Sequence, residues 1–227
     1  MFRTAKVVTV ALALIATTSL TALPSQAAER PVTVPGCKSA TAKGKVPVKV
    51  RQPAATAKPT IKSLTLKTNC GDIVIEMLGS KAPVTVNAIS ALARGGYYNK
   101  SLCHRLTTEG IFVLQCGDPT ASGSGSPTGW KGYIDENLPK VGAKNYPAGT
   151  VAMANSGPKT NGSQFFLVYQ DTQLGPDYTI WGKITKGLDL VQKIGAVGAY
   201  QMSGEQAMYA PDGFPIQMVE IVKASAK

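Results

Sequence analysis

The chain has 227 residues, of which 24 are Lys or Arg and 13 are Asp or Glu, giving a formal net charge of +11. That length supports one domain, at most two, with a sizeable core, and excludes a peptide-sized scaffold. With 23 Gly and 15 Pro it is rich in turns, yet it lies below the level of unpatterned disorder and lacks a collagen period.

Residues 1–28 open with Arg3 and Lys6, run through the apolar stretch 7–23, and end in Pro24-Ser25-Gln26-Ala27-Ala28. This is the order of a cleavable secretory signal peptide. Thr and Ser residues interrupt the apolar stretch and weaken its reading as a retained membrane span. Residues 29–60 form a linker rich in Pro, Ala, Thr and Lys. Between 29 and 62 eight basic residues face Glu29 alone, whereas 63–227 hold fourteen basic and twelve acidic residues. The excess charge belongs to leader and linker, which argues against nucleic acid as a partner of the domain. The linker is expected to be extended and solvated.

Within 61–78, Leu64 and Leu66, a turn at Asn69-Cys70-Gly71-Asp72, and Ile73, Ile75 and Met77 alternate with period two, which predicts an opening hairpin. Over 83–93, Val86, Ile89, Leu92 and Ala93 recur at helical spacing, with Thr85 as candidate N-cap and Gly95-Gly96 as the stop. Short apolar runs at 111–114, 150–153, 165–169 and 179–184 read as strands. Residues 187–194 read as a second short helix, and 216–222 as a closing strand. Many strands and two helices imply a sandwich or a closed barrel with helical caps. The four cysteines, Cys37, Cys70, Cys103 and Cys116, form an even set in an apparently exported chain and allow three pairings. A hairpin across the apolar run between them would join Cys103 to Cys116, leaving Cys37 for Cys70.

Several chemistries lack their residues. There is no Gly-x-Ser-x-Gly elbow, and His104 is the sole histidine, so neither a serine triad nor a His-based metal site can be assembled. Ser163 occupies the lysine position of a would-be phosphate loop at 157–164. Asp135-Glu136 has no second acidic pair to support glycosidase chemistry. No metal and no cofactor is expected.

What remains is Cys103-His104-Arg105, Phe112-Val113-Leu114-Gln115-Cys116-Gly117-Asp118, Asp135-Glu136-Asn137, the long block Met153-Ala154-Asn155-Ser156-Gly157-Pro158-Lys159-Thr160-Asn161-Gly162-Ser163-Gln164-Phe165-Phe166, and Trp181-Gly182-Lys183. These blocks, in this order over 61–225, resemble the cyclophilin family of peptidyl-prolyl isomerases. The resemblance implies a mainly β fold, a closed eight-stranded antiparallel barrel capped by two helices. It also implies isomerisation of X-Pro bonds, with proline-containing polypeptides as partners and Arg105, Phe112 and Gln115 as the catalytic set. Met153, Ala154, Asn155, Gln164, Phe166, Leu174 and Tyr178 would bind substrate. A proline-binding module or holdase with little turnover is the alternative.

Arg105 suits this chemistry on physical grounds. Rotation about X-Pro breaks amide resonance, and the prolyl nitrogen regains its lone pair in the twisted state, so a fixed donor there favours that state over either planar one. No general base is needed, and His104 reads as structural. The resemblance places Tyr178 where many relatives carry histidine, and Gln173 where many carry a tryptophan that contacts cyclosporin. It also places Trp181 where phenylalanine is common, a core substitution. The stretch from Arg105 to Phe112 is longer than in common relatives, which bears on where Arg105 sits; a Cys103–Cys116 bond would hold it. A monomer outside the cytoplasm, free of the membrane after signal cleavage, is expected.

Overall fold

The computed structural model describes residues 32–55 and 58–227; the expected signal peptide, 1–28, lies outside the described residues. In chain order the elements are β1 (Ser63–Thr68), β2 (Gly71–Met77), α1 (Pro83–Arg94), β3 (Ser101–Cys103), β4 (Arg105–Thr107), β5 (Val113–Cys116) and β6 (Thr150–Met153). They continue with β7 (Phe165–Val168), β8 (Ile180–Lys186), α2 (Leu188–Val197), β9 (Ala199–Ser203), β10 (Gln206–Ala210), β11 (Asp212–Pro215) and β12 (Val219–Ala226).

β1 and β2 form the opening hairpin, with Leu64 opposite Ile75 and Leu66 opposite Ile73. All four are buried, because successive side chains of a strand point to opposite faces and the apolar set shares one of them. Helix α1 starts with Pro83 at its first position, where a missing N–H costs nothing. Its cap is not Thr85, which lies inside the helix, but a remote carboxylate. Glu136 accepts from the Val84 and Thr85 amides at 3.1 and 2.9 Å and from the Thr85 hydroxyl at 2.9 Å. A negative charge at this end also complements the helix dipole. α1 buries Val86, Ile89, Leu92 and Ala93 and stops at Gly95-Gly96 as expected. α2 starts at Leu188 and runs three residues further than its sequence pattern, to Val197. It follows Gly187, whose φ of +89° and closeness to the Asp72 carbonyl leave no room for a side chain.

The sheet departs from the expected closed eight-stranded barrel. Among the described residues it has twelve strands in the order β10-β9-β11-β4-β5-β7-β6-β8-β2-β1-β12-β3 and does not close. The cause is a change of partners at His104: β3 pairs with β12, whereas β4, one residue later, pairs with β5 and β11. Residues 199–215, which carry no alternating signal, fold as β9, β10 and β11 and extend the sheet beyond β4. The main core carries an edge-to-face aromatic chain, Tyr97–Tyr98–Phe165–Trp181, with ring centroids 5.5, 5.6 and 5.7 Å apart. Such contacts add about 0.5–1.5 kcal/mol each beyond area burial. Trp181 is fully buried, a core residue as read from sequence.

Both disulfides are present, Cys37–Cys70 and Cys103–Cys116. Residues 32–55 have neither helix nor strand, but they are docked rather than free. Val34 is buried and its amide donates to Gln217 Oε1 at 3.0 Å. The amides of Thr41 and Ala42 donate to Glu220 at 2.7 and 3.0 Å, and Trp130 Nε1 donates to the Val50 carbonyl at 2.7 Å. Gln52 exchanges two bonds with the Lys131 backbone. This stretch is a strap over the domain, held by the Cys37–Cys70 bond, by backbone groups, and by side chains such as Gln52 and Lys45, whose Nζ donates to the Asn99 carbonyl. Among the described residues no helix is long and apolar enough to cross a membrane.

Candidate active site

The site is built where β4, β5, β6 and β7 lie side by side. β4 and β5 pair so that Arg105 stands opposite Gln115, and the Cys103–Cys116 bond joins the chain two residues before Arg105 to the residue after Gln115. Arg105 Nη1 donates to Gln115 Oε1 at 3.1 Å, and Nε and Nη2 donate to the two Asp212 oxygens at 2.8 and 2.7 Å. Donation to Asp212 raises the Arg105 pKa further above its ordinary value, so the guanidinium stays charged.

From Gln115 the bonding continues in one direction. Gln115 Nε2 donates to Gln164 Oε1 at 2.9 Å, and Gln164 Nε2 donates to the Gly123 and Gly125 carbonyls at 2.9 and 3.0 Å. Because Arg105 can only donate, every amide in the series has a fixed orientation. The far end rests on Asp118, which collects the Thr120, Ser122, Gly123 and Gly125 amides. Burial pulls the Asp118 carboxyl upward in pKa, but these bonds and the Thr120 hydroxyl outweigh it and hold it below the usual range.

Under Arg105 lies an apolar floor. Val113, Ala152, Phe166 and Val168 form a buried cluster with Tyr146, against which Ile111, Ala154, Leu174 and Tyr178 pack. Phe166 meets Tyr178 edge to face at 5.6 Å. Leu174 is pinned through its backbone by both ends of the Asn145 amide, at 3.0 and 2.8 Å. The resulting cavity of about 160 Å³ is lined by Arg105, Ile111, Val113, Gln115, Ala154, Asn155, Phe166, Leu174 and Tyr178. A second, more polar cavity of about 290 Å³ shares Gln115, Ala154 and Asn155 with it and continues past Gln164 to the 123–126 loop. Together they make a groove with an apolar end and a polar end.

The structure thus brings together Arg105, Gln115, Ala154, Asn155, Gln164, Phe166, Leu174 and Tyr178. Phe112 and Met153 it does not. Counting back from Gln115 along β5, the groove face takes Val113 and Ile111, while Leu114 and Phe112 face the main core. Phe112 packs edge to face on Tyr169 at 6.0 Å. The same alternation sends Ala152 and Ala154 to the groove and Met153 into the core, where the Tyr133 hydroxyl points at its sulfur. Ile111 and Val113 are therefore groove residues that sequence reasoning missed, and period two from Gln115 is the signal that finds them. Asn155 engages backbone groups with its amide, its Nδ2 donating to the Asp177 carbonyl at 2.9 Å and its Oδ1 accepting from the Gly157 amide, which fixes the turn that carries the groove wall. His104 is buried, and burial lowers its pKa against the opposing pull of Asp118, which favours the neutral form.

The site is a groove with an apolar pocket under a fixed guanidinium at one end and a polar cavity at the other. Residues 63–226 match the family described as cyclophilin type peptidyl-prolyl cis-trans isomerase/CLD, and the chain belongs to that family. A protein of Mycobacterium leprae named probable peptidyl-prolyl cis-trans isomerase B is 43% identical over 173 residues, covering 72% of this chain and 56% of that protein. Its namesake in Mycobacterium tuberculosis is 42% identical over 153 residues, covering 62% of this chain and 48% of that protein. The chain thus spans about half the length of these two relatives. The human peptidyl-prolyl cis-trans isomerase-like 1 is 38% identical over 161 residues, covering 70% of this chain and 89% of that protein. Among solved structures, a cyclophilin type peptidyl-prolyl cis-trans isomerase of Cryptosporidium parvum superposes with a TM-score of 0.58 at 26% identity, covering 74% of this chain and 98% of that chain. The same protein has been solved in the presence of the dipeptide Ala-Pro, with a TM-score of 0.57.

Proposed function

We propose that this protein is a peptidyl-prolyl cis-trans isomerase acting on X-Pro bonds of exported polypeptides, without a cofactor. The observation that carries the reading is the pairing of a small apolar pocket with a guanidinium whose donors are already fixed. The proline ring enters the pocket formed by Ile111, Val113, Phe166, Leu174 and Tyr178. The preceding residue lies towards the polar end, beside Gln115, Ala154, Asn155 and Gln164. Holding the ring while the carbonyl side turns is what rotation requires. Arg105 then donates to the prolyl nitrogen as its lone pair returns and to the turning carbonyl, interactions that strengthen only in the twisted state. The uncatalysed barrier is roughly 18–20 kcal/mol. Bringing exchange from tens of seconds to milliseconds takes about 6 kcal/mol, which oriented binding and one such donor can supply. The two disulfides suggest an oxidising location, and together with the basic, apolar leader they support export and clients outside the cytoplasm.

The test is cis-trans exchange of a short Ala-Pro peptide followed by NMR with oxidised protein and with Arg105→Ala, each checked for folding. Strong acceleration by the wild type and a loss of about 100-fold or more in the variant are expected. A folded wild type that binds the peptide without accelerating exchange would overturn the enzyme in favour of a proline-binding module. Suppressed aggregation of a client without prolines would point to a holdase.

A further inference from the structure

We propose that Asp212 is a positioning residue for the isomerisation: it holds the Arg105 guanidinium so that its two uncommitted donors face the prolyl bond. This rests on the isomerase reading above. A guanidinium has five N–H groups. Asp212 takes Nε–H and one N–H of Nη2, at 2.8 and 2.7 Å, and Gln115 takes one N–H of Nη1 at 3.1 Å. Two N–H groups remain, one on each terminal nitrogen, which is the number needed for the prolyl nitrogen and the adjacent carbonyl. A two-point grip along one edge also fixes the plane of the group, which a single bond from Gln115 cannot do.

The backbone shows that Asp212 is itself held. It opens β11, which lies between β9 and β4, with Asp212 opposite Thr107 and Gly213 opposite Leu106. The Thr108 amide donates to the Pro211 carbonyl at 2.8 Å, and Gln201 Nε2 donates to the Asp212 carbonyl at 2.6 Å. At the next position a Cβ on Gly213 would lie 2.1 Å from the Tyr200 carbonyl oxygen, so only glycine fits where β11 meets β9. β4 is thereby paired on both edges, with β5 carrying Gln115 and β11 carrying Asp212, and Arg105 is gripped from both. The carboxylate and the guanidinium are both well exposed, with side-chain exposures of 48% and 39%. An ion pair in that setting adds little to folding, which leaves aim as its use.

The experiment compares wild type, Asp212→Ala, Asp212→Glu, Arg105→Ala and Arg105→Ala/Asp212→Ala as full chains. It measures kcat and KM for the Ala-Pro peptide, thermal stability, and the Arg105 Nε–H resonance by NMR. For Asp212→Ala we expect kcat to fall about tenfold, since misplacing a catalytic group by an ångström costs up to about 100-fold. KM and melting temperature should hold, and the shifted, slowly exchanging Nε–H signal should disappear. Asp212→Glu should restore part of kcat and of the signal, and in the Arg105→Ala background the second substitution should change nothing further. Retention of full kcat by Asp212→Ala, an unchanged Nε–H signal, or a further loss in the double variant would each overturn the proposal. A wild type that shows the Nε–H signal but does not accelerate exchange would overturn the isomerase reading, and this inference with it.

Discussion

Replacing Gln115 by leucine keeps the volume of the side chain and removes both of its bonds. Arg105 Nη1 loses an acceptor at 3.1 Å and Gln164 Oε1 loses a donor at 2.9 Å. A hydrogen bond to a charged group contributes about 1.5–3 kcal/mol and a neutral one about 1 kcal/mol. Gln115 is only partly buried, so water satisfies both freed partners and folding stability should change by less than about 1 kcal/mol. In the transition state water is a poor substitute, because the energy lies in aiming Arg105 and not in satisfying it. If the charged bond is expressed there, its loss of about 1.5–3 kcal/mol corresponds to a fall of roughly 10- to 150-fold in kcat/KM, carried mainly by kcat. Exchange rates over a range of peptide concentrations, set beside urea melts of the same samples, separate the two effects. A fall in kcat/KM of less than about threefold, or a stability loss that matches the activity loss, would show the series from Arg105 to Gln164 to be mere surface bonding.

Three further outcomes are expected. His104 is the sole histidine, and burial lowers its pKa from 6.5, so the unfolded chain takes the proton first as pH falls. Stability should be level above about pH 6.5 and decline below it, and His104→Gln should remove that slope; a wild-type urea midpoint that stays flat from about pH 8 to about pH 5 would contradict this. The Cys103–Cys116 and Cys37–Cys70 bonds close separations of 13 and 33 residues, worth about 3 and about 4 kcal/mol by loop entropy. Removing the first by paired Cys→Ser changes should lower both stability and kcat, removing the second chiefly stability, as read by melts and exchange rates. Cyclosporin should inhibit weakly while catalysis stays strong, because exposed Gln173 stands where the resemblance expects tryptophan; nanomolar inhibition in the exchange assay would refute that.

Where a segment buries one face and wets the other, its sequence announced it. The 61–78 hairpin and α1 alternate cleanly and were legible to within a residue or two. β5, β6 and β7 are buried on both faces, so polarity carries no alternation, and the sides of Phe112 and Met153 had to be counted from a known groove residue. β9 and β10 fail in the opposite way: Met202, Met208 and Tyr209 are exposed among polar neighbours, and no pattern marks a strand. Glu136 and Asp212 act across 51 and 107 residues, and nothing local distinguishes them from surface acids. The strap reads as solvated because it is rich in lysine and poor in large apolar groups, but backbone amides and the side chains of Val34, Lys45 and Gln52 dock it on the domain, and composition does not announce such partners.

The strap also sets an order of events. Val34 binds Gln217 across 183 residues and Thr41 binds Glu220 across 179, while β1 pairs with β12, Leu64 opposite Ala226. The contacts of Val34 and Thr41 therefore cannot form until the last strand has been delivered, whereas Cys37, Val50 and Gln52 meet Cys70, Trp130 and Lys131 earlier in the chain. In a chain delivered from its N-terminus the segment around Val34 and Thr41 comes first and waits, and closing such distant contacts is the slow part of folding. A segment with many prolines, one dominant sign of charge and few large apolar groups is well suited to that interval, since it neither collapses on itself nor sticks to its neighbours. The composition that looked like a spacer is what a latecomer to its own fold requires.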